Sequence, residues 1–500
     1  MDALSALRRR LAEIADLQGA IATLAWDQET YMPPGGAEAR GRQLALLGRM
    51  AHEQFTDPQV GRWLEQIETS GDAHAAGSLD HDLLRVVRHD YQRAVRLPAE
   101  FVATMMEHSS AAYDRWTRAR PANAFALVAD SLERTLELSH QYAGYTPGIA
   151  HPADALIGES DEGMTVAQIR PLFAELRAGL VPLIEAIGAR PAPDAAFLLR
   201  HYPASAQLAA GMACAVAFGY DPQRGRQDLT HHPFATRISG GDVRITTRVR
   251  EDDFSEAFFS TLHEAGHAMY EQGVAAELEG TPLASGTSAG VHESQSRLWE
   301  NIVGRSRGFA EHIVPQLRAT FPQQFADVTP DGFYRAVNRV SRSLIRTDAD
   351  EVTYNLHVII RFDLELDLLE GRLAVRDLPE AWRERYRRDL GVVPPDDRDG
   401  VLQDVHWFAG LVGGAFQGYT LGNIMSAQFY QAACAAHPDI PAAIARGEFA
   451  TLHGWLQRMV YAHGRRLDAD AVVRHATGSP LTIAPYLAYL DTKYRALYQC

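Results

Sequence analysis

Cysteine is scarce. Cys214, Cys434 and Cys500 are the only three in 500 residues and fall at no paired spacing, which excludes a disulfide framework and fits a reducing compartment. Long apolar runs are missing as well, so no membrane span is expected. The opening segment MDALSALRRRLAEIADLQGAIATLAWDQ carries charges throughout and does not read as a signal peptide. A cytoplasmic location is therefore expected. Positive charge is in deficit: 48 Lys and Arg stand against 63 Asp and Glu, a net charge of −15, which argues against nucleic acid and membrane surfaces as partners. There is no internal repeat, low-complexity tail or linker that would divide the chain, so residues 1–500 are read as one unit. Its 46% hydrophobic and 22% charged residues suit a soluble globular protein with a large core.

Strand signals are few, and most of the chain has helical periodicity. Leu4, Leu7, Leu11, Ile14, Ile21 and Leu24 recur at three- and four-residue steps, predicting a long helix that ends in the Pro- and Gly-rich Trp26–Gly36 stretch. A second helix from about Ala37 would complete an N-terminal helical hairpin within residues 1–70. Residues 80–141 stay helical, Tyr142–Thr165 reads as a long irregular connector, and helices resume at 166 with a break at 189–193. The one clear β signal is at 232–239 and 242–249, two alternating runs flanking Gly240-Gly241, a two-residue hairpin turn. Such a strand edge could accept an extended peptide as a further strand, or be a plain structural ribbon.

The hairpin leads into FSEAFFSTLHEAGHAMYEQG. Phe258, Phe259, Leu262, Met269 and Tyr270 mark the apolar face of a helix over about 254–272. His263 and His267 are one turn apart on the opposite face, a spacing that lets both imidazoles bind one Zn²⁺, with Glu264 beside them to take a proton from an activated water. A catalytic zinc site needs a third protein ligand. The close-spaced third His is absent, because the chain continues as Gln272-Gly273. After a Gly-, Ser- and Ala-rich loop (about 273–290) comes VHESQSRLWEN, a second polar helix start. There Glu293 is the candidate third ligand, His292 its competitor, and Arg297 a partner that could orient Glu293.

HEAGHAMYEQG followed by VHESQSRLWEN resembles the carboxypeptidase Taq family of metallocarboxypeptidases. WDQETYMPPGGAEARGRQLA near the N-terminus and HPADALIGESDEGMT at 151–165 are similar to that family too. So are four separated motifs: HPF at 232–234, DxRxT at 242–246, IRxxAD at 345–350 and GxxQDxHW at 400–407. The resemblance runs from about Trp26 to Tyr498. One departure is Gln417-Gly418-Tyr419, where the family reads near FPTYTLGN; the phenol is kept and its approach differs.

The resemblance implies a mainly α, neurolysin-like metallopeptidase fold with a small β-hairpin sheet beside the active-site groove. It implies a zinc-dependent carboxypeptidase, accepting cobalt in place of zinc, acting as a homodimer on peptides with a free C-terminus. It carries over His232, Asp242 and Arg244 as substrate-binding residues and Arg346 as the cation for the substrate's terminal carboxylate. His406 and Tyr419 become candidates for stabilising the oxyanion, with Asp404 beside His406. An oligoendopeptidase on the same helical fold, or an inactive peptide-binding protein, would share the zinc set or the fold without using Arg346 in this way.

Overall fold

The computed structural model describes residues 2–70 and 77–500. It is helical almost throughout, with one three-stranded sheet among the described residues. The first helix, Ala3–Thr30, is capped by the Asp2 side chain, which accepts from the Ser5 N–H at 2.8 Å, and it packs against the helix Ala37–Thr56 as a hairpin. Only the first half of its predicted apolar stripe is buried. Leu7 and Leu11 join Val60, Leu64, Leu83 and Val87 in a satellite core closed by Leu278 and Leu283 from the loop beyond the 254–273 helix. The principal core gathers most remaining helices. Among the described residues no helix is long and apolar enough to cross a membrane.

The predicted hairpin forms strands β2 (Ala235–Ser239) and β3 (Asp242–Thr247), antiparallel about the Gly240-Gly241 turn. A third strand, β1 (Gln227–Leu229), runs parallel to β3 and gives the order β1-β3-β2. At three residues it is too short to show a period, and pairing with β3 is what defines it. Alternation along β3 buries Val243 and Ile245 on one face. Thr246 ties down the backbone of Phe234, accepting from its N–H at 2.8 Å and donating to its carbonyl at 3.0 Å, so the DxRxT and HPF motifs are clasped together.

The WDQETY segment docks on this sheet. The Arg244 guanidinium lies 4.2 Å from the Trp26 ring, and the Tyr31 hydroxyl donates to Asp228 at 2.5 Å. β1 and β2 are the two edge strands; at β2 a Cβ on Gly19 would sit 2.9 Å from the Ile238 carbonyl, so the first helix packs closely on that edge at that point.

The expected irregular connector at 142–165 is not wholly irregular: Pro152–Ser160 is a helix. His151 accepts from the Ala153 N–H at 3.0 Å, Asp154 accepts from the His151 N–H at 3.0 Å, and Pro152 occupies the first turn. This reciprocal cap holds nine residues helical where composition alone reads as loop.

Candidate active site

The helix Phe254–Gly273 presents His263, Glu264 and His267; the helix Ala289–Arg297, capped by the Ser288 hydroxyl, presents Glu293. Two glycines let these elements meet. A Cβ on Gly266 would lie 2.5 Å from the Gln295 carbonyl, and one on Gly422, in the helix Gln417–Ala436, 2.6 Å from the Glu293 side chain. Only hydrogen fits at either crossing, which places Glu293 between two backbones and opposite the imidazoles.

One ligand atom each from His263, His267 and Glu293 lies within 4.8 Å of the others, the only such group of His, Cys, Asp and Glu among the described residues. The Glu293 Oε2 is 3.8 Å from His263 Nε2 and 3.4 Å from His267 Nε2. Its other oxygen accepts from Arg297 Nε at 2.6 Å, the pairing read from the i, i+4 spacing. His292 is not in the group. Glu271 can only accept, so His292 donates to it from Nε2 at 2.8 Å, and its Nδ1 shares a hydrogen bond with His267 Nδ1 at 2.6 Å. His263 Nδ1 donates to Glu300 at 2.9 Å. Both outer nitrogens are thus occupied, and both Nε2 atoms face the carboxylate. Glu300 lies in a π-helical segment, Leu298–Val303, that continues the 289–297 helix, and Arg305 and Arg297 hold it.

Electrostatics at the centre favour a cation. Burial alone would push Glu293 up, yet the Arg297 guanidinium and the two imidazoles hold it well below the usual carboxylate range. Burial pushes His267 down to about 4, so its imidazole is neutral at neutral pH. Glu264 is raised to about 7, mainly by burial, with the Glu293 and Glu300 charges adding to it. A buried carboxyl near neutrality can both accept and return a proton.

Arg346, 7% exposed, is joined to this centre through Tyr354. Arg346 Nη1 donates to the Tyr354 hydroxyl at 3.1 Å, and the Arg297 guanidinium lies 4.7 Å from that ring. Asp404 Oδ1 accepts from Arg346 Nη2 at 3.0 Å and from Nε at 3.3 Å. Of the five N–H groups of a guanidinium these bonds use three, leaving one on each terminal nitrogen. Tyr419 lies against Arg346, its ring centre 5.2 Å from the guanidinium carbon. Burial pushes its phenol up to about 12, so it stays a donor. His406 packs on Phe416 with ring centres 4.6 Å apart; burial brings it down to about 4, and its buried Nδ1 makes no hydrogen bond, lying 3.7 Å from Asp404 Oδ1.

The remaining expected residues sit elsewhere. Asp242 and Arg244 pair with each other at 2.7 Å and engage Trp26, and His232 is exposed just before β2. Two adjoining cavities of about 930 and 1030 Å³ share His52, Asp90, Ser285 and Arg465 and form a groove. Its walls include Glu271 and His292, the pair behind His267. Glu300, Tyr354 and Arg361 escaped the sequence reading. Only Glu300 carried a usable signal, since Glu293, Arg297 and Glu300 fall on one helical stripe.

The short helix His406–Ala409 is anchored on buried Glu365, which accepts from Trp407 Nε1 at 2.9 Å. Burial raises this carboxyl to about 7 despite that bond. A folded-state value above the unfolded one means stability lost as pH rises between the two, here from about 4.5 to about 7. Glu365→Gln is therefore expected to be neutral at pH 5 and to gain up to about 3 kcal/mol relative to the parent at pH 8, read as the difference in melting temperature at the two pH values.

The profile of carboxypeptidase Taq (M32) metallopeptidases matches residues 6–494. The chain is 44% identical to thermostable carboxypeptidase 1 of Thermus thermophilus, over 98% of this chain and 97% of that one. It is 35% identical to carboxypeptidase 1 of Bacillus subtilis, again over 98% and 97%. The crystal structure of the M32 carboxypeptidase from Deinococcus radiodurans superposes with a TM-score of 0.97 at 53% identity, covering both chains completely. The chain belongs to the carboxypeptidase Taq (M32) metallopeptidase family and is a metallocarboxypeptidase.

Proposed function

We propose that this chain is a zinc-dependent carboxypeptidase of broad specificity that removes single residues from the C-terminus of peptides. The observation that carries the reading is the convergence of two imidazole nitrogens and one carboxylate oxygen beside a guanidinium with two unused donors. The donor set fits zinc: two imidazole nitrogens whose outer atoms are already bonded, and one oxygen turned away from Arg297. His263, His267 and Glu293 would hold the ion, which when bound polarises the scissile carbonyl and acidifies a water; cobalt suits the same ligands.

Glu264 accepts the proton of the attacking water and returns it to the leaving amine. Arg346 holds the substrate's terminal carboxylate and so restricts cleavage to chain ends. Tyr419 and His406 are the donors for the oxyanion. Asp242 and Arg244, paired with each other beside Trp26, and His232 are the further substrate-binding residues of this reading, although none of them lines the two cavities. We place the enzyme in the cytoplasm as a homodimer, which light scattering of the purified protein would read directly.

A time course on an unblocked peptide, followed by mass spectrometry, tests the reading. A ladder losing one C-terminal residue at a time, stopped by a chelator and by amidation of the C-terminus, is expected; internal fragments would overturn it. Glu300→Gln is expected to weaken metal binding roughly tenfold to 100-fold through loss of the charge behind His263, measured by competition with a chromophoric chelator.

A further inference from the structure

Arg361 lies in the apolar helix Tyr354–Leu369 and is wholly buried, at 0% exposure. A guanidinium is placed so deep only when acceptors surround it. Arg361 donates to Asp404 Oδ2, to Gln403 Oε1 at 2.7 Å, to the Tyr386 hydroxyl at 3.2 Å and to the His357 carbonyl at 2.7 Å. Two of these acceptors are the ones that hold Arg346. Gln403 Oε1 also accepts from the Arg346 backbone N–H at 3.1 Å, and Asp404 Oδ1 takes its side chain.

One carboxylate is therefore divided between two guanidiniums, an oxygen to each. The other titratable neighbours add no charge at neutral pH: burial holds His357 and His406 in the neutral form and keeps the Tyr386 phenol protonated. The cluster carries two positive charges and one negative, a surplus of one. Without Arg361, Asp404 would face Arg346 alone, and an incoming carboxylate would meet a neutral pair with its anionic half next door.

We infer that Arg361 is a positioning residue for carboxypeptidase specificity: it engages half of Asp404 and so leaves Arg346 the surplus charge with which to bind a second carboxylate, that of the substrate. The inference rests on the reading of Arg346 as the carboxylate clamp. It makes a demand that mere packing does not. The loss caused by neutralising Arg361 should be repaired by neutralising Asp404, although that removes a second member of the same network.

The test is inhibition of the metal-loaded enzyme by a short peptide and by its C-terminal amide, for the parent, Arg361→Gln, Asp404→Asn and the double variant, with folding checked by circular dichroism. The parent is expected to prefer the acid. Arg361→Gln should lower that preference about 100-fold, with the substrate loss appearing in KM more than in kcat. The double variant should recover most of it, and Asp404→Asn alone should keep it. Equal preference for acid and amide in the parent would instead remove the clamp role of Arg346. A parent that discriminates alongside an Arg361→Gln protein that discriminates equally, or a double variant worse than either single one, would overturn the role of Arg361. Should Arg361→Gln not fold, Asp404→Asn decides: retained or increased preference supports the charge argument, and lost preference overturns it.

Discussion

Glu264→Gln is expected to lower kcat by about 10³- to 10⁴-fold while leaving metal content unchanged. The side chain is next to His263 in sequence but is not one of the three converging ligands, so an isosteric amide leaves the ion's donors in place. What it removes is a carboxyl that burial has raised to about 7, close to neutrality. His267 is too weak a base at about 4, and Glu293 is held ionised by Arg297. Folding is not at risk, because Glu264 is raised by burial. Above about pH 7 the folded protein carries a buried anion that the amide does not, so the metal-free variant is expected to melt no lower than the parent at pH 8. A variant with full metal and kcat within about tenfold of the parent would remove Glu264 from the mechanism.

Arg346→Gln is expected to cost about 3 kcal/mol of transition-state binding, on the order of 100-fold in kcat/KM, for peptides with a free C-terminus, and to erase the difference between acid and amide. The guanidinium is 7% exposed and ringed by Tyr354, Tyr419 and Phe416, an environment in which a charge pair is poorly screened by water. Asp404 keeps Arg361 as a partner in this variant, so no buried carboxylate is left alone and the fold should hold. Arg346→Lys keeps a point charge without the fork and should fall between the two. If peptide acids and amides are still distinguished as in the parent, the terminal carboxylate is bound elsewhere.

The local features of the site were legible because they depend on short-range geometry. A one-turn spacing puts His263 and His267 on one helical face wherever that helix lies, and Phe258, Leu262 and Met269 mark the face it buries. Gly240-Gly241 between alternating runs determines a hairpin in the same way. Nothing periodic announced β1, which exists through its pairing with β3, or the Pro152–Ser160 helix, which depends on a reciprocal cap.

What the amino-acid sequence determined by itself was a helical protein with two histidines and a glutamate displayed together, because turn spacing and apolar periodicity are properties of neighbours in the chain. Only the tertiary structure decided that Glu293 and not His292 faces the Nε2 atoms of those histidines, that Tyr354 joins Arg346 to Arg297, and that Asp404 is shared by two arginines. Those outcomes turn on close approaches between distant segments, at Gly266 against Gln295 and Gly422 against Glu293, and on how buried charges must pair once water is excluded.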